Sequence, residues 1–423
     1  MRLIGTLLLG LLILPMPARA NPPIASMAYK ISETELSLDL HYVALGPGDV
    51  LYGLEFDTDN VVRSDDGGAS FDTVKVFADG TAWNGLFVDS SSSVLIGRRG
   101  LGALAKGAMS GDTLACSRVL TFTCDECPGD CGVMWQACED DSAYLYVGEY
   151  TVGTDGTEEC CYVYQSKDGG DNWLEPIYHD DDNARHPHLI SWDPYALRLY
   201  ISQGDGTGEW EVNRSEDYGA AWTAVNLATP ANSQPLAAAF LPRGYYDGVG
   251  SFESSTYAGA YSGTRFLGSD KSTGGNRITR VRDLYYLPPY DTNQPDTWVV
   301  NELILTTADH NDGYVWVMSS TPDTIPIAGT VSACDTCAPA IYIRERESDH
   351  TNTRWRILKS FGELDTWGGV SSMTTFGSDG YAYYTVGRTE GAGGTATYKF
   401  KVNPYPLTTE NKSRADHYRR RGH

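Results

Sequence analysis

Apolar and polar residues alternate along this chain in short runs broken by Gly, Asp, Asn and Pro, the period-two pattern of half-buried β-strands. The unit that begins at His186 is the clearest. Residues 189–192 read as a first strand, Asp193-Pro194-Tyr195-Ala196 as a turn, 197–202 as a second strand, 209–213 as a third and 222–227 as a fourth. Carried outward, this template predicts strand pairs over 38–56, 83–97, 133–147, 186–202, 235–251, 297–318 and 370–386. Four antiparallel strands recurring every ~40 to 50 residues form the blade of a β-propeller. The expected fold is therefore all-β, a propeller of seven four-stranded blades over residues 21–403. The last blade ends at 395–402 without a fourth strand, so 28–32 is expected to pair there and close the ring, removing an open sheet edge.

The turns carry a second regularity. In Arg214-Ser215-Glu216-Asp217-Tyr218-Gly219-Ala220-Ala221-Trp222 the order Ser-x-Asp-x-Gly-x-x-aromatic suits a tight hairpin. Ser and Asp oxygens bond back to turn amides, Gly takes a positive φ, and the aromatic ring anchors the returning strand. Ser166, Asp168, Gly170 and Trp173 form a second copy, and Ser64, Asp66, Gly68 and Phe71 a third. Ser64 to Ser166 is 102 residues and Ser166 to Ser215 is 49, so the unit is near 50 residues and one copy has lost its signature. The fifth blade, about 233–287, keeps a degenerate turn near Gly268-Ser269-Asp270, and the sixth a degenerate one between Ile341 and Trp355.

These motifs resemble the Asp-box, or bacterial neuraminidase repeat, of the sialidase-like superfamily. The resemblance implies a propeller whose boxes lie on the face away from the ligand pocket. Ser64, Asp66, Gly68, Phe71, Ser166, Asp168, Gly170, Trp173, Ser215, Asp217, Gly219 and Trp222 are then structural, and chemistry belongs on the opposite rim. A sialidase is expected to carry an Arg-Ile-Pro, three arginines for the substrate carboxylate, a Tyr nucleophile activated by Glu, and an Asp acid. Here the early stretch reads Met27-Ala28-Tyr29-Lys30-Ile31-Ser32, with no Arg-Ile-Pro. The fold follows from the boxes more directly than any activity does, because one fold hosts many functions.

Residues 1–20 hold Arg2, an apolar run over 7–14 and Ala18-Arg19-Ala20, a signal-peptide pattern with a small-x-small cleavage site, which implies a secreted or periplasmic protein. No stretch reaches the ~20 apolar residues of a membrane span. Without the leader, 30 basic residues face 55 acidic ones, a net charge of −25, which argues against nucleic acid and anionic lipid as partners. Residues 404–423 form a polar tail with Lys412, Arg414, Arg419, Arg420 and Arg421, expected to be disordered. Nine cysteines in an exported chain point to disulfides, with Cys116, Cys124, Cys127, Cys131 and Cys138 clustered in one stapled segment; the odd count leaves a thiol over.

Candidate chemistry gathers in the loops expected opposite the boxes. Arg98, Arg185 and Arg388 are the arginines placed to converge on a carboxylate, with Glu149 and Tyr150 as a carboxylate beside a phenol and Asp205 as a further acid. Neighbours on a strand point to opposite faces, however, which separates Glu149 from Tyr150. Arg185, His186, His188 and Asp205 are the expected ligand-binding set. His186 and His188 project to one side of an extended backbone, and with Asp180 and Asp182 they would suit a divalent cation, the one cofactor these residues imply. Trp83, Tyr150, Trp210 and Trp367 are rim aromatics of the kind that stack on sugars. Three functions remain open. The first is a binding propeller for an extracellular glycan or glycoprotein, the second a glycoside hydrolase using rim carboxylates, the third a metal-binding propeller.

Overall fold

The computed structural model describes residues 27–56, 58, 60–77, 83–98, 102–122, 132–151, 162–178, 186–194, 197–203, 211–225, 233–241, 261–272, 277–284, 297–304, 314–320, 326–331, 339–345, 354–361, 368–387 and 395–406. The chain is an all-β propeller whose described residues contain no α-helix. After β1 (Met27–Glu35), the first sheet is β2 (Leu40–Gly46), β3 (Val50–Glu55), β4 (Val61–Ser64) and β5 (Asp72–Lys75). The second is β6 (Trp83–Val88), β7 (Val94–Arg98), β8 (Ala103–Ser110) and β9 (Thr113–Thr121). The third is β10 (Gly132–Glu139), β11 (Leu145–Thr151) and β12 (Tyr162–Ser166), with Tyr178 bridging to Val163 in place of a fourth strand. The fourth is β13 (Pro187–Asp193), β14 (Arg198–Gln203), β15 (Glu211–Ser215) and β16 (Thr223–Ala224), and the fifth β17 (Ser233–Leu241), β18 (Tyr261–Ser272), β19 (Arg277–Leu284) and β20 (Thr297–Ile304).

The sixth sheet has eight strands. It holds β21 (Tyr314–Ser320), β22 (Pro326–Val331), β23 (Ala340–Glu345), β24 (Arg354–Ser360), β25 (Gly369–Met373), β26 (Ala382–Gly387), β27 (Ala396–Pro406) and, pairing with β27, β1. The expectation of seven separate blades is thus corrected to six sheets. A single pair, Val331 with Gly369, joins the strands from 314–360 to those from 369–406, and a strand count along the sequence cannot anticipate it. The fifth unit is corrected as well. Gly268-Ser269-Asp270 lies inside β18 rather than at a turn, and Thr297–Ile304 completes the fifth sheet instead of opening the sixth.

The first strands of successive sheets neighbour one another in a closed ring. Between sheets the filling is aliphatic: Val61 and Val74 of the first meet Val94, Ile96 and Leu114 of the second, and all five are buried. Each such side chain contributes about 1.5–3 kcal/mol by leaving water. Gly148 on β11 marks a close approach between the third and fourth sheets, because a Cβ there would sit 2.5 Å from Ile190 Cδ1. The ring closes where β1 meets β27, and Lys359 ties that joint. Its Nζ lies 2.5 Å from Glu33 Oε1, 3.0 Å from the Tyr384 hydroxyl and 4.3 Å from the centre of the Tyr398 ring.

Every inner strand carries one residue more than its partner accommodates. The register slips at Leu40/Tyr42, Trp83/Leu86, Met134/Ala137, Pro187/Leu189, Pro235/Ala237, Val315/Val317 and Val370/Ser372. Such bulges kink a strand and re-aim its side chains. Here they recur at one level around the axis.

The three Ser/Asp turns have one geometry. Each Ser Oγ donates to its Asp at 2.7–2.8 Å and accepts the amide of the Gly four residues on at 2.8 Å. Gly68, Gly170 and Gly219 take φ of 87°, 90° and 91°. The residue before each is also left-handed, and in the last turn that residue is Tyr218, at φ 60°. A second repeat went unread in the sequence. Asp89 and Asp140, 51 residues apart, each hold the turn between first and second strands by accepting amides two and four residues on.

Hydrogen bonds from Ser70 and Ser64 hold the Asp66 carboxyl at about 2, and those from Asn172 and Ser166 do the same for Asp168. A carboxylate depressed in the folded state contributes its stability above its ordinary pKa and loses it as pH falls toward the folded value. Wild type should therefore lose thermal stability between pH 4 and pH 2, and the Asp66→Asn/Asp168→Asn double variant should lose less over that window. Ser166→Ala strips the buried Gly170 amide of its acceptor and should cost about 1–3 kcal/mol in urea unfolding, with the fold retained.

Candidate functional site

Antiparallel order decides which residues meet. The Ser/Asp turns join third to fourth strands, so they share an end with the turns from first to second strands. The opposite end collects the starts of the first strands, the ends of the second and the starts of the third. On the third and fourth sheets, that end holds several buried polar side chains. Glu149, His186, His188, Ser202, Gln203 and Asn213 are each 5% exposed or less.

Glu149 ends the inward pattern of β11. Leu145 and Val147 pack toward the second sheet, and Glu149 continues that face into a setting where it accepts the Tyr164 hydroxyl at 2.7 Å. Phe122 lies against the same ring, 5.8 Å between centroids. The carboxylate–phenol pair is thus Glu149 with Tyr164 on the neighbouring strand. On the opposite face of the third sheet, toward the fourth, Tyr178 donates to Gln203 Oε1 at 2.5 Å and accepts from Asn213 Nδ2 at 3.0 Å, while Gln203 Nε2 reaches Glu211 at 3.4 Å. His186 and His188 stand at the start of β13, where the bulge brings their rings into a stack 4.8 Å apart, 18° from parallel.

Arg98 and Tyr150 stand at the ends of β7 and β11, on the side away from the Ser/Asp turns; only their backbone is described. Trp83 opens β6 in the same way. Asp180, Asp182, Arg185, Asp205, Trp210, Trp367 and Arg388 lie outside the described residues. Among the described residues no three of His, Cys, Asp and Glu gather as a metal set. The staple expected through Cys116 and Cys138 is corrected. Both are free thiols, one on β9 and the other on the inner strand β10, and the remaining cysteines lie outside the described residues. Burial pushes both thiols above their ordinary range. Asn213, whose Asn-Arg-Ser sequence matches a glycosylation acceptor, is 5% exposed and engaged with Tyr178. Sequence reasoning missed Tyr164, Tyr178 and Gln203. Their signal was available only as alternate positions of second, third and fourth strands that a register would bring to one end.

No family model matches the chain, and no curated protein matches it. Its fold has solved likenesses. Virginiamycin B lyase from Staphylococcus aureus is similar at TM-score 0.54 and 11% identity, over 88% of this chain and 99% of that one. The WD40 repeats of RRP9 reach 0.53 at 9% identity, over 89% and 100%. YCF48, solved with a D1 peptide, reaches 0.51 at 10% identity, over 91% and 99%. These place the chain among β-propellers, and identities this low carry the fold alone.

The Glu149–Tyr164 bond is testable without knowing a ligand. Tyr164→Phe leaves a buried carboxylate short of a donor and should cost about 1–3 kcal/mol by urea unfolding.

Proposed function

We propose that the chain is an exported propeller of the Asp-box type that binds a glycan on the face opposite its Ser/Asp turns, at the ends of the third and fourth sheets. The observation that carries this reading is the contrast between the two ends of the molecule. At the turn end, Ser64, Ser166 and Ser215 spend their hydrogen bonds inside their own hairpins. At the other, Glu149 with Tyr164 on one face of the third sheet, Tyr178 with Gln203 and Asn213 on the other, and the His186–His188 stack are buried with no turn to cap. Carboxylate, amide and imidazole groups set among tyrosine rings suit a ligand with hydroxyls on an apolar ring face. Arg185, next to His186 in sequence, and Asp205, two positions after Gln203, complete the proposed set.

A glycoside hydrolase is the second reading, and the Glu149–Tyr164 pair favours it, since a phenol bonded to a carboxylate is a means of activating a nucleophile. Glycan-array binding of the mature protein, with His188→Ala and Gln203→Ala beside it, tests the first reading. Each variant should weaken binding about tenfold, the equivalent of about 1.4 kcal/mol, with melting checked in parallel. Fluorogenic glycosides test the second: turnover in wild type that disappears in both Glu149→Gln and Tyr164→Phe would replace the binding reading with a catalytic one. No retained glycan on a broad array and no turnover would sink both.

A further inference from the structure

The inner strands enclose a channel of about 310 Å³. Its wall draws on β2, β6, β10, β13, β17, β21 and β25, and among the described lining residues none is Asp, Glu, Lys, Arg or His, in a chain of net charge −23. The bulges bring irregular backbone to this wall, where unpaired carbonyls would make it polar. Side chains from neighbouring sheets engage them instead. Gln136 donates to the carbonyl of the bulged Leu236 at 2.6 Å and accepts the Ile190 amide at 3.1 Å. Thr385 donates to the carbonyl of the bulged His41 at 3.3 Å and pairs with Ser371 at 2.9 Å. Ser372 bonds both the amide and the carbonyl of Val43, at 3.3 Å each. The wall therefore presents bonded polar groups beside carbon and sulfur from Leu86, Val317, Met318 and Met373. The unbranched thioethers of Met318 and Met373, both partly exposed, adapt to ligands of irregular shape.

We propose that the channel is a binding site for a neutral small molecule with both polar and apolar groups. Its volume sits at the lower end of the range for ligand pockets, about 300–1,000 Å³. The described wall residues give an ion nothing to pair with, so the site discriminates by charge before shape. The residues differ from the polar cluster proposed for glycan, and the two sites are independent in sequence and chemistry.

Fluorescence titration of the full chain with a neutral N-phenylnaphthylamine, and with its sulfonated anionic analogue, reads the site. The neutral probe should bind saturably with Kd on the order of micromolar, at least about tenfold tighter than the anion. Ala238→Phe places a ring in the channel and Met373→Glu a charge, and each should weaken the neutral probe by about tenfold or more while circular dichroism confirms the fold. Absence of saturable binding to the native chain, equal affinity for the anion, or unchanged affinity in a folded variant overturns the proposal. The native-chain comparison decides by itself if neither variant folds. Glycan binding should persist in both variants, so failure here leaves the reading of the polar cluster standing.

Discussion

Nine paired positions between β1 and β27 hold the two ends of this chain together, and the ring depends on them. A propeller buries each sheet only against its neighbours, so an open ring would expose two sheet faces at once and leave a strand edge unpaired. The joint is reinforced outside the ladder. Glu33 of β1 takes the Lys359 ammonium and the Tyr384 hydroxyl together, and the Lys359 charge lies over the Tyr398 ring. The fused eight-stranded sheet makes this sector different from the rest, since the Val331–Gly369 pair lets the closing strands share a hydrogen-bonded frame with β21 to β24. Elsewhere, neighbouring sheets are held by side chains.

Closure fixes the axis, and the axis sorts the polar groups. On the turn side, carboxylates clamp neighbouring loops: Asp49 accepts the Ser378 amide at 2.9 Å, and Glu139 accepts the Ser90 amide at 2.7 Å. Those bonds reach from one sheet to the next and stiffen that rim. The far side has Glu149, Gln203 and the histidine pair buried among rings instead. Rigid scaffold below and buried polar groups above is the arrangement that positions recognition side chains without loop rearrangement.

Strand patterning was legible because half-buried antiparallel strands alternate strictly, and most predicted strands recur in the structure within a few residues. It failed in the fifth unit, where Tyr261–Ser272 is long enough to run through the Gly268-Ser269-Asp270 tripeptide that looks like a turn in isolation. Composition could not show that Val331 would pair with Gly369, a contact between residues 38 positions apart. Glu149 was legible as a buried acid candidate, but Tyr164 was not legible as its partner. That pairing depends on β11 and β12 being in register with Gly148 opposite Val163, which a pattern of apolar positions leaves open.

The bulges link these observations. A regular inner strand would present every second residue to the axis and complete its ladder with the second strand. One extra residue per strand breaks the ladder at one level, and each break leaves backbone groups that need partners. At two of them the fold answers with a side chain from another sheet, as Gln136 does for Leu236 and Thr385 for His41, so the defect in one sheet becomes a tie to another. The same shift on β13 brings His186 and His188 into their stack at the far rim. One irregularity, repeated around the ring, therefore couples sheets and shapes the start of the polar cluster.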